Sequence, residues 1–331
     1  MVSRLESRLQ FVEVRGERPK STFCQLVDEG LGTMPKSLPT CYLYDHRGSE
    51  LFEEITRLPE YYPTRTEQSI LERHALDIVE AVGDGMCLIE FGSGSSLKTR
   101  ILIEAALCRQ QHLQYVPIDI STDFLKASAQ QLLDECSRLS ILALGAEYFE
   151  AIEALPDHDG PRLILFLGSN IGNMENEEAI EFLSQVRQQM NPMDRVLVGV
   201  DLVKDRSVLE AAYNDSQGVT AEFNRNLLRR INGELDGNFD LACFHHMAPY
   251  DDRTERIEMR LYSTCRQAVE IEATGRIYEF AAGEFIHTEW SHKYTRDSFA
   301  RLCASGGLEI DSAWTDERDW FSTMLLKPTM L

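Results

Sequence analysis

The sequence predicts an α/β protein in two parts: an open, mostly parallel sheet with helices on both faces, and a second, smaller α+β lobe. Short apolar runs alternate with helical patterns through the middle of the chain, as in sheets built from strand–helix–strand units. A Gly-Ser-Gly loop follows the first apolar run, at the end of a strand where such sheets bind ligands. After residue 203 the pattern changes to strands of period two, which indicates the second lobe.

Strands and helices alternate along the predicted sheet. Strands are expected over residues 86–91, 113–120, 162–168 and 195–201, and helices over residues 97–110, 125–136 and 179–190. A helix and a strand return from residue 297 to the end. We therefore expect residues 65–203 and 294–331 to form the sheet domain.

The second lobe is predicted to combine helices over residues 207–214 and 219–231 with a strand over residues 255–262. In that strand Ile257, Met259 and Leu261 alternate with charged residues, which is the period of a half-buried strand. Strand-like segments continue to residue 285. We expect residues 1–64 and 204–293 to form this lobe.

Composition excludes several classes of function. Hydrophobic residues make up 43% and charged residues 26% of the 331 residues, as in soluble globular proteins. The formal net charge of -21 provides no basic footprint for phosphates, so a nucleic-acid partner is not expected. The acidity could favour a cationic small substrate, but a solvated surface that keeps the protein in solution is the preferred interpretation.

The eight cysteines are scattered and none forms a C-x-x-C pair, so they indicate free thiols in a reducing compartment. The N-terminus has no signal-peptide pattern, and no apolar run approaches the roughly 18 residues of a membrane span. His245 and His246 are adjacent, and neighbours on a strand point apart, so no metal site is expected. We predict a cytoplasmic protein without membrane contact.

The loop after the first predicted strand is a candidate ligand site. Gly92 and Gly94 let the backbone turn sharply and approach a ligand, and Asp119 ends the next strand, where it could bind two ribose hydroxyls. Without Asp119, the two glycines would be explained equally well by an ordinary tight turn between a strand and a helix. Leu97 stands where a dinucleotide fingerprint needs its third glycine, so NAD is disfavoured, and no phosphate-binding loop with Gly-Lys-Ser/Thr is present.

Five motifs make the sequence resemble the histidine-specific methyltransferases. They are Tyr-Asp-His-Arg-Gly-Ser-Glu-Leu-Phe at 44–52, Leu-Pro-Glu-Tyr-Tyr-Pro-Thr-Arg-Thr-Glu at 58–67, Leu-Gly-Ser-Asn-Ile-Gly-Asn at 167–173, Phe-Asn-Arg-Asn at 223–226 and Thr-Glu-Trp-Ser-His-Lys at 288–293. The resemblance covers residues 36–326 in matching order. Known members convert L-histidine to its Nα-trimethyl betaine, hercynine, in ergothioneine biosynthesis.

The resemblance implies a Rossmann-like class I methyltransferase sheet, a substrate-binding lobe and S-adenosyl-L-methionine as the methyl donor. The cofactor-binding residues it implies are Gly92, Ser93, Gly94, Lys98, Asp119, Tyr148 and Phe149. The implied substrate-binding residues are Tyr61, Asn173, Tyr213, Met259, Glu289 and Ser291, and Tyr44 is the implied catalytic residue. The sequence departs from the family pattern at His46, at Asn170 and in Glu147-Tyr148-Phe149, which replaces the usual aspartate–phenylalanine pair.

Within that set, the resemblance implies that Glu289 and Ser291 hold the imidazole. They are two apart on a predicted strand and so face the same side, with one carboxylate and one hydroxyl for the two ring nitrogens. Met259 would line the ring pocket. Asn173 and Tyr61 would hold the amine and carboxylate region, and Tyr213 the carboxylate.

We expect a monomer, and the resemblance implies that it takes L-histidine as a small-molecule substrate. One alternative keeps the fold and methylates another aromatic amino acid or amine, although Glu289 and Met259 argue against a tryptophan-like substrate. A second alternative is a binding module with a degenerate methyltransferase fold, which would require a damaged glycine loop or a missing amino-acid clamp. Neither defect is visible in the sequence.

Overall fold

The computed structural model describes residues 8–14 and 22–329. In chain order its strands are β1 Leu9–Glu13, β2 Lys36–Ser37, β3 Cys87–Phe91, β4 Leu113–Asp119, β5 Leu139–Gly145, β6 Arg162–Phe166, β7 Arg195–Asp201, β8 Phe244–Met247, β9 Tyr250–Asp251, β10 Arg256–Ser263, β11 Gln267–Ile271, β12 Arg276–Phe280, β13 Phe285–His292, β14 Leu308–Thr315 and β15 Phe321–Pro328.

The α-helices are α1 Phe23–Leu31, α2 His46–Ile55, α3 Tyr62–Val82, α4 Thr99–Arg109, α5 Thr122–Glu135, α6 Tyr148–Glu153, α7 Asn176–Gln189, α8 Arg206–Tyr213, α9 Val219–Glu234 and α10 Arg296–Ser305. Short 3-10 helices lie at Thr40–Leu43, Asn170–Asn173, Leu241–Cys243 and Glu272–Thr274. Within the described parts of the chain, no helix is long and apolar enough to cross a membrane.

The first compact unit contains the described residues of 1–16, 63–203 and 294–331. Its eight-stranded sheet has the order β1-β5-β4-β3-β6-β7-β15-β14. β15 is antiparallel to both of its neighbours, and the other neighbouring pairs are parallel. The predicted α/β sheet is therefore confirmed, and β7 has the bounds that its apolar run predicts.

Both faces of this sheet are buried, which explains why β3 is apolar at nearly every position. Ile89 and Phe91 join a core with residues of α7 and α10. Leu88, which points to the opposite face, joins a second core with residues of α3, α4 and α5. The stripe on α5 is buried at Leu125 and Ala129, as its helical spacing predicts.

The structure corrects the assignment of the N-terminal residues. β1 pairs with β5 in parallel register, Leu9 opposite Ile141 and Phe11 opposite Ala143, so it belongs to the sheet unit and not to the second lobe. Its five residues are too few to show a period, and their partners lie far along the chain. Residues 1–7 and 15–21 of the predicted lobe lie outside the described residues.

The second compact unit contains the described residues of 17–62 and 204–293. Its main sheet has the order β2-β13-β10-β8, and β9 also pairs with β10. β10 is buried at alternate positions, which confirms the period-two strand. The register between β10 and β13 shifts after Met259, because Glu289 pairs with Met259 and His287 pairs with Arg260, so Thr288 is the extra residue of a bulge.

Candidate functional site

The glycine loop of the sheet unit has backbone conformations that favour glycine. Gly92 has a φ of 68° and Gly94 a φ of 48°. A β-carbon on Gly92 would lie 2.8 Å from both Tyr148 Oη and Asn170 Nδ2. Gly92 is therefore required by backbone conformation and by space.

Asp119, the last residue of β4, holds this loop in place. Its Oδ2 accepts a hydrogen bond from the Gly94 amide at 3.0 Å, and its Oδ1 accepts one from the Ser121 amide at 2.9 Å. Burial raises the pKa of Asp119, and these amide hydrogen bonds act in the opposite direction. Each carboxylate oxygen retains acceptor capacity, so the group is suited to a diol such as ribose.

A buried polar network supports the start of the loop. The Glu90 carboxyl accepts hydrogen bonds from Thr99 Oγ1 at 2.6 Å and from Tyr115 Oη, and Tyr115 Oη lies 3.0 Å from Ser96 Oγ. Burial raises the pKa of Glu90 to about 7. Ser93 Oγ is buried and has no hydrogen-bond partner in the described parts of the chain, so it could form a hydrogen bond with a polar ligand.

Lys98 is anchored by a residue that sequence reasoning missed. Its ammonium forms an ion pair with Glu67, a fully buried residue of α3. Both Glu67 carboxylate oxygens also accept from the Gly168 amide, at 2.9 and 3.0 Å. A β-carbon on Gly199 would lie 1.8 Å from Glu67 Oε1, so β7 needs glycine there. Glu67 lies in the motif at 58–67, but its role could not be predicted, because its partners Lys98 and Gly168 are remote in sequence.

Tyr148 and Phe149 begin α6 and are both half-buried. The Tyr148 ring packs on Phe91 and Phe166 with centroid distances of 6.0 and 5.3 Å, and its hydroxyl lies against Gly92. Phe149 packs on Phe182 at 6.2 Å. Tyr148 thus adjoins the glycine loop, whereas Phe149 contacts the hydrophobic core.

In the second unit, Glu289 is a buried carboxyl whose hydrogen-bonding capacity is not filled. Only 5% of the residue is exposed, and Oε2 has no hydrogen-bond partner among residues 8–14 and 22–329. Burial raises the pKa of Glu289 to about 8, and the positive charge of Lys293, which lowers it, offsets only part of this shift. Met259 pairs with Glu289 across the two strands and is also buried, so an apolar side chain and a carboxyl lie side by side.

Ser291 lies two residues beyond Glu289 and is hydrogen-bonded to two other side chains. Its Oγ is 2.7 Å from Tyr213 Oη on α8, and Lys293 Nζ donates to Ser291 Oγ at 2.7 Å and to Tyr213 Oη at 2.9 Å. The structure therefore joins two predicted residues, Tyr213 and Ser291, through a buried lysine that was not predicted. The sequence signal for this lysine was its spacing, because residue 293 follows residues 289 and 291 at the same interval of two, immediately after the end of β13.

A histidine and an asparagine orient the backbone of Tyr213. His246 Nε2 lies 2.8 Å from the Tyr213 carbonyl, and His246 Nδ1 lies 2.9 Å from Asn224 Nδ2. Burial lowers the pKa of His246 to about 4, so the ring is neutral and donates through Nε2. His246 thus has a structural role, while its neighbour His245 is exposed.

Aromatic rings of the second unit surround the remaining predicted residues. Tyr61 packs on Tyr213 at a centroid distance of 6.1 Å and on Phe52 at 6.2 Å. Tyr44 follows the 3-10 helix Thr40–Leu43 and packs on Phe52 at 5.6 Å and on Phe223 at 5.4 Å. Tyr44, Tyr61 and Tyr213 thus belong to one aromatic cluster.

Asn173 is the one predicted substrate residue that belongs to the sheet unit. It ends the 3-10 helix Asn170–Asn173 after β6 and is half-buried. Across the residues that the structure describes, no group of three or more His, Cys, Asp or Glu residues could hold a metal ion.

The features of the sheet unit define a class of protein. An open sheet with this strand order, with a glycine loop after a central strand and an acid at the end of the next strand, is the arrangement of the class I methyltransferases, which use S-adenosylmethionine. The sequence model of the histidine-specific, S-adenosylmethionine-dependent methyltransferase family matches residues 23–328, and the chain belongs to that family.

Relatives with assigned names agree with this classification. The chain is 41% identical over 299 residues to the histidine N-alpha-methyltransferase of Mycolicibacterium smegmatis, covering 90% of this chain and 92% of the relative. It is 42% identical, with the same coverage, to the protein of that name from Mycobacterium tuberculosis. It is 32% identical to ergothioneine biosynthesis protein 1 of Neurospora crassa, over 89% of this chain but 34% of that longer protein.

Proposed function

We propose that this protein transfers methyl groups from S-adenosyl-L-methionine to the α-amine of L-histidine, giving hercynine, the first step of ergothioneine biosynthesis. The observation that carries the proposal is the buried Glu289 carboxyl, with an unfilled Oε2, two residues from Ser291 on the same strand face. A carboxyl group and a hydroxyl so placed match the two ring nitrogens of an imidazole. The names of the two mycobacterial relatives support the same substrate.

The donor site would use the glycine loop of the sheet unit. Gly92, Ser93 and Gly94 would lie along the donor, Asp119 would bind its ribose hydroxyls, and Lys98 its carboxylate. Tyr148 and Phe149 would contact its adenine. The bound donor supplies a methyl group on a sulfonium, which is activated for attack by an amine.

The amino-acid site would combine recognition of the ring with recognition of the amine. Glu289 and Ser291 would bind the imidazole, and Met259 would line its face. Tyr61 and Asn173 would hold the amine and carboxylate region, and Tyr213 would bind the carboxylate. The hydrogen bond between Tyr213 Oη and Ser291 Oγ restricts the position of the tyrosine hydroxyl.

Methyl transfer requires a neutral amine, so the substrate loses one proton for each methyl group added. We assign to Tyr44 a part in removing it: the hydroxyl oxygen would accept a hydrogen bond from the amine N–H, directly or through a water, and the proton would pass on to solvent. The aromatic cluster that contains Tyr44 and Tyr61 also suits the product, because aromatic faces attract quaternary ammonium groups. This supports three successive transfers at one nitrogen.

We further propose that the protein acts as a monomer in the cytoplasm. All eight cysteines are free thiols, which is consistent with a reducing compartment. Light scattering on the purified protein should give the mass of one chain, and a dimer mass would contradict this part of the proposal.

The test of function is a substrate panel with product masses. The protein is incubated with the methyl donor and L-histidine, L-tryptophan or histamine. Mono-, di- and trimethylated histidine should accumulate, with little product from the other two. If histidine is not methylated, the proposal is wrong, and faster turnover of tryptophan or histamine would favour the alternative substrate class.

A further inference from the structure

The Phe-Asn-Arg-Asn motif lies on α9, and the proposed chemistry assigns no role to its polar residues. Phe223 and Asn226 are three positions apart and so share one face of the helix. The Phe223 ring packs on Tyr44 at a centroid distance of 5.4 Å, and Asn226 Nδ2 donates to Asp45 Oδ1 at 2.8 Å. One face of α9 therefore contacts two consecutive residues of a second motif, once through a ring and once through a hydrogen bond.

The side-chain amide of Asn226 has a defined orientation. Only 2% of the residue is exposed. Arg229 Nη1, which can only donate, lies 3.3 Å from Asn226 Oδ1, so this oxygen accepts and Nδ2 is left to donate to Asp45. Asp45 Oδ1 also accepts from the Gly48 amide at 2.7 Å, in the first turn of α2. Asn226 therefore provides a directional hydrogen bond that joins α9 to the beginning of α2.

This hydrogen bond lies beside Tyr44, at the bend where a 3-10 helix ends and α2 begins. Tyr44 has a φ of -100° and a ψ of 49°, and Asp45 is the N-cap residue of α2. A β-carbon on Gly48 would lie 1.7 Å from the Leu43 carbonyl oxygen, so the first turn of α2 packs directly on the bend. Aromatic pairs tolerate centroid distances of about 4.5 to 7 Å, whereas a hydrogen bond weakens steeply when its geometry is lost. The polar contact therefore restricts the bend more closely than the packing of the rings does.

We propose that Asn226 is a positioning residue for methyl transfer: its hydrogen bond to Asp45 fixes the bend from which Tyr44 reaches the substrate amine. This inference rests on the proposed function, in which the Tyr44 hydroxyl takes part in removing the amine proton. Such a group must lie within hydrogen-bond reach of the amine, and a displacement of about 1 Å can cost a large part of the rate. Asn226 itself need not contact the substrate.

Asn226→Asp is the direct test, because it keeps the shape of the side chain but turns an acceptor toward the Asp45 carboxylate. We expect kcat for histidine to fall by about tenfold, while KM for histidine and for the methyl donor changes by less than about twofold. Asn232→Asp is the matched control, because Asn232 lies on the same helix and donates to the carbonyl of Phe239 at 2.8 Å. Phe239 has no part in the proposed site, so the control should keep the wild-type kcat.

A double-mutant cycle separates positioning from a general loss of structure. In a Tyr44→Phe background the hydroxyl that Asn226 would position is absent, so Asn226→Asp should lower kcat by less than about twofold further. A residue that merely supports the fold would cause the same loss in both backgrounds. Asn226→Ala, which removes the donor without adding a charge, should depend on Tyr44 in the same way and is the second variant if Asn226→Asp does not fold. Binding of S-adenosylhomocysteine reports folding.

Three results would overturn the inference and leave the proposed function standing: wild-type kcat in Asn226→Asp, an equal loss in both backgrounds, or failure of both Asn226 variants to fold, which would make the residue structural. Failure of the proposed function looks different, because the wild-type protein would then not methylate histidine. If another amino acid or amine is methylated instead, the same cycle is run with that acceptor. A wild-type protein that methylates no acceptor, or full activity of Tyr44→Phe, would overturn this inference as well.

Discussion

At the scale of single residues, the second unit contains carboxyl groups whose pKa values are shifted in opposite directions. Burial raises the pKa of Glu289 to about 8. Glu258 on β10 has a lowered pKa, because burial, which raises it, is outweighed by the hydrogen bonds from His287 and Arg260. The same sheet therefore contains one carboxyl that resists ionisation and one that favours it.

These shifts predict opposite effects of pH on stability. Between pH 4.5 and about 8 folded Glu289 holds a proton that the unfolded chain has lost, so its contribution to stability falls as pH rises. Glu289→Gln should therefore gain stability relative to wild type as pH increases through this window. Glu258→Gln, the control, should lose relative stability as pH rises through the ordinary range of a glutamate, since its folded pKa is lowered. Melting temperatures across pH measure both, and parallel curves for Glu289→Gln and wild type would contradict the assignment.

Tyr44→Phe tests the proposed proton acceptor. A positioned acid or base typically contributes about 100-fold or more, so kcat for histidine should fall by about 100-fold. KM should change little, because the ring that packs on Phe52 and Phe223 remains. Tyr42→Phe is the control, since Tyr42 lies on the preceding 3-10 helix and packs on Phe23 instead. Full activity of Tyr44→Phe would remove Tyr44 from the mechanism.

At the scale of elements, the loop between β3 and α4 combines an unusual backbone with a close packing contact. Gly92→Ala should weaken S-adenosylhomocysteine binding by about tenfold or more, because the new β-carbon meets Tyr148 and Asn170 at a φ of 68°. Gly218→Ala is a matched control, with a φ of 76° but no atom within 4 Å of the new carbon. Calorimetry should show normal affinity for the control, and normal affinity for Gly92→Ala would refute the loop assignment.

Glu67 connects α3 with the loops after β3 and β6, through Lys98 and the Gly168 amide. Glu67→Gln keeps the shape but removes the charge that holds Lys98. We expect KM for the methyl donor to rise by about tenfold, because an ion pair with a buried partner is lost, while KM for histidine stays near wild type. Steady-state kinetics with each substrate varied in turn provide the comparison. An equal rise in both KM values would mean that Glu67 supports the fold and not the donor site.

The elements differ in how far their sequence predicts them. β10 is buried at alternate positions and β7 at nearly every position, so the hydrophobic pattern within each segment is enough to predict the strand. The shared face of Glu289 and Ser291 could be predicted for the same reason. The roles of Glu67 and Lys293 could not, because a buried charge depends on partners that only the fold brings close. β1 was missed because its five residues pair with β5, which is remote in sequence.

At the scale of the whole molecule, the formal net charge of -21 is the main global property. Like charges repel one another more strongly in the compact state than in the unfolded chain, and salt screens that repulsion. Raising NaCl from about 0.01 M to about 0.15 M should therefore raise the melting temperature, by a few degrees. A neutral osmolyte at equal osmolarity is the control. A melting temperature that falls with salt would show that attractive ion pairs outweigh the net repulsion.

The contact between Gly199 and Glu67 also restricts how this site can change over evolutionary time. A β-carbon at position 199 would lie 1.8 Å from Glu67 Oε1, so a larger residue at 199 requires the glutamate carboxylate to move from its present position. The two positions form an epistatic pair. Alanine at 199 would displace the Glu67 carboxylate unless residue 67 had already become shorter, and either change would disturb the ion pair with Lys98. Homologues should therefore vary at these two positions together, and intermediates should be rare.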